Sequence, residues 1–314
     1  EDKDKRPKHT FGDFELHPLE DADGCVEALY MYLWRKDAKG RSCPGVALPD
    51  TVVYMYRQPA YWFFTSAQTG GLKRKNRANI RSENIRAAFL KRKQPKGDVV
   101  AYHIYTHEPD KGPRGVDDVT TVEFLDRAGL DAFLAGGEKH AFSVLQKFVE
   151  SRGPRTAVIR ATWSPKLCLL ERRENVHNIA DRDCELFEKC VTFEGKEHLS
   201  ESAPLSGTAL AGKVEGQCQA IADHVAGVSE GRFRPARMVL NFKVDEAGNV
   251  YLLWCSSIRL YPREPQEEPA PSPGPASGEA AAQAAQAGAS TAQQPPTPSS
   301  SSSPTRPPAP APPK

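Results

Sequence analysis

Met238, Leu240, Phe242 and Val244 alternate with Val239, Asn241, Lys243 and Asp245, the period of two of a strand with one apolar face. Glu246-Ala247-Gly248-Asn249 supplies turn residues and Val250 to Ile258 a second apolar run, so a β-hairpin closes the folded part. Upstream, Val214, Cys218, Ile221, Ala222 and Val225 recur at helical spacing and predict an amphipathic helix over 214–228, packed on a sheet.

The remaining apolar runs are shorter. Cys25 to Trp34 fits a strand or a short buried helix equally well. Thr51 to Tyr56 and Tyr61 to Thr65 are β-branched and aromatic, two strands with a turn at Gln58-Pro59. Ser82 can cap a helix from Glu83 to about Lys93, acidic in its first turn and basic in its last. Asp98 to Tyr105 reads as a strand. Val119 to Leu125 reads as another, feeding a helix that starts near Asp126 and carries Leu130, Phe133 and Leu134. After Gly136-Gly137, Phe142, Leu145, Phe148 and Val149 suggest a second helix, while Thr156 to Trp163, Lys166 to Leu170 and Leu186 to Phe193 suggest strands.

A βαβ alternation with a glycine-rich phosphate turn is missing, so the fold expected is α+β: a mixed, mainly antiparallel sheet with helices packed on one face. The folded domain runs over 11–263, after a flexible segment at 1–10, with two subdomains allowed to meet near 108–118. From Glu264 onward the large apolar residues disappear into Pro, Ala and Ser, and 264–314 is expected to be a disordered tail or linker.

Composition narrows the function classes. No run approaches the roughly 20 apolar residues of a membrane-spanning helix. Seven cysteines at irregular spacings, with no C-x-x-C pair, point to a reduced compartment and to thiols buried in apolar runs. Net charge is only +2, from 42 basic and 40 acidic residues, so distribution matters more than the sum.

That distribution is uneven. Lys73, Arg74, Lys75, Arg77, Arg81, Arg86, Lys91, Arg92, Lys93 and Lys96 crowd one segment against Glu83 alone. All but Lys96 make up the candidate binding site, able to attract an acidic protein surface or a nucleic acid. The aromatics just before it, from Tyr54 to Phe64, are read as core. His103 and His107 lie on a strand, where four residues span about 13 Å, too far for one metal. Cys184, Cys190, His177 and His198 lack the close pairs of a zinc site. No metal, cofactor or complete catalytic set is therefore assigned. The polar strand ends near Glu171, His177 and Asp181 are kept as the place where an unrecognised enzyme site would sit.

Two blocks, Arg160 to Lys166 and Arg237 to Val244 through Trp254-Cys255-Ser256-Ser257, resemble segments of poorly characterised cilia- and flagella-associated proteins, without pointing to one defined family. The resemblance implies an axonemal context in the cytoplasm, cilium or flagellum; a substantial core, the basic segment, a long linker and no complete active site point to a non-enzymatic binding or scaffold domain of a larger cytoskeletal assembly there. Its partners would be acidic protein surfaces such as tubulin or other axonemal proteins, with nucleic acid as the alternative and no membrane span.

Overall fold

The structure, a computed structural model, describes residues 17–91, 95–106, 120–136, 139–205 and 207–262. It is α+β, and its strands form two six-stranded sheets in which neighbouring strands run antiparallel. The first sheet has the order β1 (Ala22–Asp23), β12 (Val250–Leu260), β11 (Pro235–Val244), β8 (Arg155–Ser164), β9 (Leu167–Asn178) and β10 (Ser200–Ser202). The second runs β4 (Leu72–Arg74), β3 (Gln58–Thr65), β2 (Thr51–Met55), β7 (Phe142–Lys147), β5 (Ala101–Thr106) and β6 (Thr120–Leu125).

The hairpin β11–β12 forms where the alternation places it, but both of its faces are covered. Asn241 and Lys243 are as buried as Leu240 and Phe242. Helix α5 (Thr208–Val228) lays Val214, Cys218, Ile221 and Val225 into the core beside Met238 and Leu240. On the second sheet, side-chain alternation splits two cores. Val52, Tyr54, Trp62 and Leu145 face helices α2 (Ser82–Leu90) and α3 (Arg127–Ala135), whereas Val53, Phe63, Val144 and Tyr102 face the larger core shared with the first sheet and α1 (Ala28–Trp34).

Several local expectations are corrected. The helix expected after Gly136-Gly137 is strand β7, whose Ser143, Val144, Leu145 and Gln146 are all fully buried; a central strand covered on both faces loses the alternation that marks a strand. Conversely, the strand expected from Leu186 is the short helix α4 (Leu186–Cys190), tied to β9 by Asn175, whose Nδ2 donates to the Glu188 and Val191 carbonyls. The turn between β2 and β3 is at Tyr56-Arg57, both with positive φ (51° and 64°), and Pro59 sits inside β3, beyond the stretch paired to β4. Arg81, not Ser82, is the N-cap of α2, and the helix stops at Leu90, before the Lys91–Lys93 run. In contrast, α3 starts where expected, and Asp126 caps it, its carboxylate accepting from the Gly129 amide at 2.7 Å.

Residues 1–16 and the tail at 264–314 lie outside the described residues. So do 107–119, where the sequence allows a subdomain boundary; β5 and β6, on either side, pair within one sheet. Among the described residues no helix is long and apolar enough to cross a membrane.

Lys243 links the two sheets: its Nζ donates to the Tyr102 hydroxyl at 2.9 Å and lies 3.9 Å from the Phe148 ring centre. Burial pulls its pKa down to about 7. With the folded value below the ordinary 10.5, the unfolded chain binds more protons between these limits, so this residue's contribution makes stability rise with pH over that window. Lys243→Met should therefore raise the melting temperature at pH 7, on the order of 1–4 kcal/mol in stability. The gap to the parent protein should close toward pH 10. Thermal unfolding of the two proteins at matched pH steps reads this difference, in which the opposite drift from the buried cysteines cancels.

Candidate functional site

The basic segment does not act as one surface. Arg86 is held by Asp131 through two hydrogen bonds of 2.6 and 2.9 Å, which neutralise it on the outside of α2–α3. Arg81 turns back to the Ala78 carbonyl, and Lys96 is spent on the Ser151 and Gly153 carbonyls and on Glu246. Lys91 is the C-cap of α2, where its own carbonyl accepts from Lys147. Arg92 and Lys93 lie outside the described residues.

What remains is Lys91 and the run Lys73, Arg74, Lys75 and Arg77, none of which has a carboxylate partner among the described residues. Strand β4 pairs with β3 and alternates its side chains. Arg74 therefore falls on the α1 side, its guanidinium 4.0 Å from the Trp34 ring centre and 5.5 Å from that of Tyr61. Lys75 places its ammonium on the other side, 5.2 Å from Trp62 and 4.8 Å from Phe64. Stacking occupies the face of the Arg74 guanidinium and Nη1 donates to Met31 Sδ at 3.9 Å, which leaves its other in-plane N–H groups for an oxyanion. Beyond β4, Asn76 accepts from the Ala78 amide and shapes the 3-10 turn Arg77–Asn79 that brings Arg77 alongside. Together Trp34, Tyr61, Arg74, Lys75, Arg77 and Ile80 line most of an open cavity of about 640 Å³ whose lining includes no acidic residue.

A second cavity, of about 350 Å³, lies on the other side of Tyr61 and has the opposite sign. Met31, Met55, Tyr61, Phe63 and Phe142 surround Glu27, whose carboxyl has no cationic partner among the described residues. Burial pushes Glu27 up to about 7. Largely apolar walls with the carboxyls of Glu27 and Glu20, and His17 beside them, suit a ligand carrying an ammonium group on an apolar body.

Aromatics read from the sequence as core thus divide: Tyr54, Trp62 and Phe63 are buried, whereas Tyr61 serves both cavities and Tyr56 is exposed. Trp34 and Glu27 were not legible as site residues, because only the tertiary placement of α1 brings them there. Of the three residues kept for an enzyme site, the structure joins His177 and Asp181 but leaves Glu171 six residues up β9, about 20 Å along a strand.

No protein-family model matches the chain, and no curated protein matches it. Solved structures do. D-cycloserine synthetase DcsG shares 11% identity over 71% of this chain and 62% of its own, with a TM-score of 0.37. The VanG D-Ala:D-Ser ligase of Enterococcus faecalis shares 10%, over 74% and 55%, with a TM-score of 0.34. A RiPP-associated ATP-grasp ligase of Chryseobacterium gregarium, solved with ADP and a leader and core peptide, shares 12%, over 68% and 47%, with a TM-score of 0.30. The chain spans about half to three fifths of the length of these structures. At these identities and scores no activity, ligand or residue role passes from them to this chain.

The matches do correct the ciliary reading. The three named structures are ligase and synthetase enzymes, not axonemal or cytoskeletal proteins, so the resemblance to flagellar proteins, the scaffold reading and the leaning away from an enzyme find no support in the comparisons and are not carried further. The basic segment that the nucleic-acid alternative needs has Arg81, Arg86 and Lys96 bound to internal partners.

Glu27 gives this site a pH signature. Its folded pKa lies above the ordinary carboxylate value, so the folded protein holds the extra proton and stability falls as pH rises from about 4.5 to 7. Glu27→Gln should remove that fall and stabilise the protein at pH 8 by about 1–3 kcal/mol. Denaturant melts at pH 5 and pH 8 check it: equal midpoint shifts at both values would mean that Glu27 is ordinarily solvated.

Proposed function

We propose that the chain binds a small phosphate-bearing molecule, of nucleotide size or below, in the cavity between α1, β3 and the turn after β4. The observation that carries this reading is the Arg74 guanidinium, stacked on Trp34 and Tyr61 without a carboxylate partner, at a cavity that Arg77 also lines. Stacking fixes the guanidinium plane before the ligand arrives, so less rotamer entropy is lost on binding. The oxyanion meets the guanidinium edges, and Trp34 and Tyr61 offer apolar surface to the rest of the molecule. A volume of about 640 Å³ accommodates a ligand of this size.

The test is calorimetry with ATP, ADP and inorganic pyrophosphate. Arg74→Gln and Arg77→Gln should each weaken binding by about 10- to 100-fold, the loss of one charged hydrogen-bonding group. Arg86→Gln, which removes a cation already paired to Asp131, should leave affinity within about twofold. Raising salt should weaken the parent protein more than Arg74→Gln. Equal losses in all three variants would mean that only diffuse charge is felt, and absence of binding by all three probes at millimolar concentration would overturn the reading.

A further inference from the structure

We infer that the loop between β9 and α4 is a zinc site built from His177, Asp181 and Cys184. It is separate from the cavities above and shares no residue with them. One ligand atom from each residue, an imidazole nitrogen, a carboxylate oxygen and the thiol sulfur, lies within 4.8 Å of the other two, and Cys184 Sγ is 3.1 Å from His177 Nδ1. A tetrahedral zinc with bonds of about 2.0–2.3 Å sets its ligand atoms about 3.3–3.8 Å apart, so the three donors need only a slight adjustment around an ion.

The loop is held in this shape mainly by bonds outside the donor set, whose own contacts are among its members and with the Asp183 amide. Asn175, fully buried, accepts from the His177 amide at 2.7 Å and donates to the α4 carbonyls, which locks the end of β9 to the helix. The Asn178 side chain accepts from the Ala180 amide at 2.9 Å. Buried Ile179 donates its amide to the Pro154 carbonyl. The Asp181 carbonyl receives the buried Lys189 ammonium, and its Oδ1 accepts from the Asp183 amide at 2.9 Å, leaving the other carboxylate oxygen for a metal.

The mixture of donors selects the ion. Imidazole with thiolate suits zinc and other late first-row metals over magnesium or calcium, which prefer all-oxygen shells. On binding, Zn²⁺ replaces the thiol proton, a zinc–sulfur bond forms and one proton leaves to solvent, so affinity rises with pH. Three protein ligands leave the fourth position to water. The four residues weighed for zinc in the sequence are not this set: Cys190 is buried in the core and His198 sits on the separate turn Glu197–Leu199.

The experiment uses the full chain, stripped with a chelator and titrated with Co²⁺ as a spectroscopic stand-in. One equivalent should produce a near-ultraviolet thiolate-to-cobalt band and the intense visible bands of a four-coordinate ion, and one equivalent of Zn²⁺ should abolish both. Cys184→Ser should lose the thiolate band, and His177→Gln and Asp181→Asn should weaken binding by at least about 10-fold. His198→Gln, an exposed histidine nearby in sequence, should change nothing. Far-ultraviolet circular dichroism establishes that each variant is folded. A thiolate band that persists in folded Cys184→Ser, or the absence of any such band in the parent protein, would overturn the assignment.

Discussion

The Leu253 carbonyl is the point on which the positions of both sheets and α1 depend. Opposite β11, Asn241 pairs with Trp254 but Phe242 pairs with Leu252, so Leu253 is a bulged residue on β12. The bulge turns its carbonyl out of the ladder. There it accepts from the Tyr30 hydroxyl of α1 at 2.5 Å and from Gln146 Nε2 of β7 at 2.9 Å. A fully buried carbonyl without these donors would cost about 1–3 kcal/mol, so the bulge is tolerated only with α1 and β7 in place. Helix α1 has seven residues and no side-chain cap, too little to fix its own position. Tertiary bonds to Tyr30 hold it, and they set Trp34 beside Arg74 and Glu27 beside Tyr61.

The same geometry explains why charge counted along the chain misleads. Ten cations in one stretch suggest a single field, yet pairing is decided by which way each backbone position points. Arg86 meets Asp131 from α3, Lys96 meets carbonyls from the β7–β8 connection, and successive β4-side residues go to opposite faces of β3. Of the cations left without a carboxylate partner among the described residues, Arg74, Lys75 and Arg77 meet at one cavity.

Much of the fold was legible where one face is buried and the other wet. Helix α5 follows from its clear period and α3 starts near Asp126 as read, while the β11–β12 hairpin was legible from alternation and turn residues although both of its faces are covered. Strand β7 was not, because burial on both faces erases its alternation, and α4 was not, because five residues held by Asn175 carry no period at all. The ciliary resemblance rested on local pattern alone. The two blocks that carried it are adjacent strands, with Trp163 opposite Met238 and Arg160 opposite Asn241, so their residues form part of one sheet. Such a pattern constrains packing and says little about chemistry.

The sites were least legible because each is assembled by tertiary contact between residues that are individually ordinary. His177, Asp181 and Cys184 have none of the short pair spacings of known zinc motifs, and they converge only because Asn175 fastens the end of β9 to α4. Polar residues inside the sheets show the same dependence. Asn241 takes the place of an outward-facing polar residue in the strand pattern, but it is fully buried, accepting from Arg160 Nε at 3.2 Å while Arg160 reaches Glu194 at 3.1 Å. Lys243, two residues on, is buried against Tyr102 and Phe148 by the second sheet. An alternating strand therefore identifies which residues share a face, and a second layer decides whether the polar face meets water or becomes an internal network. In this chain that second layer hangs on the bulge at Leu253, so the feature that most shapes the sites is a backbone irregularity that no side-chain pattern records.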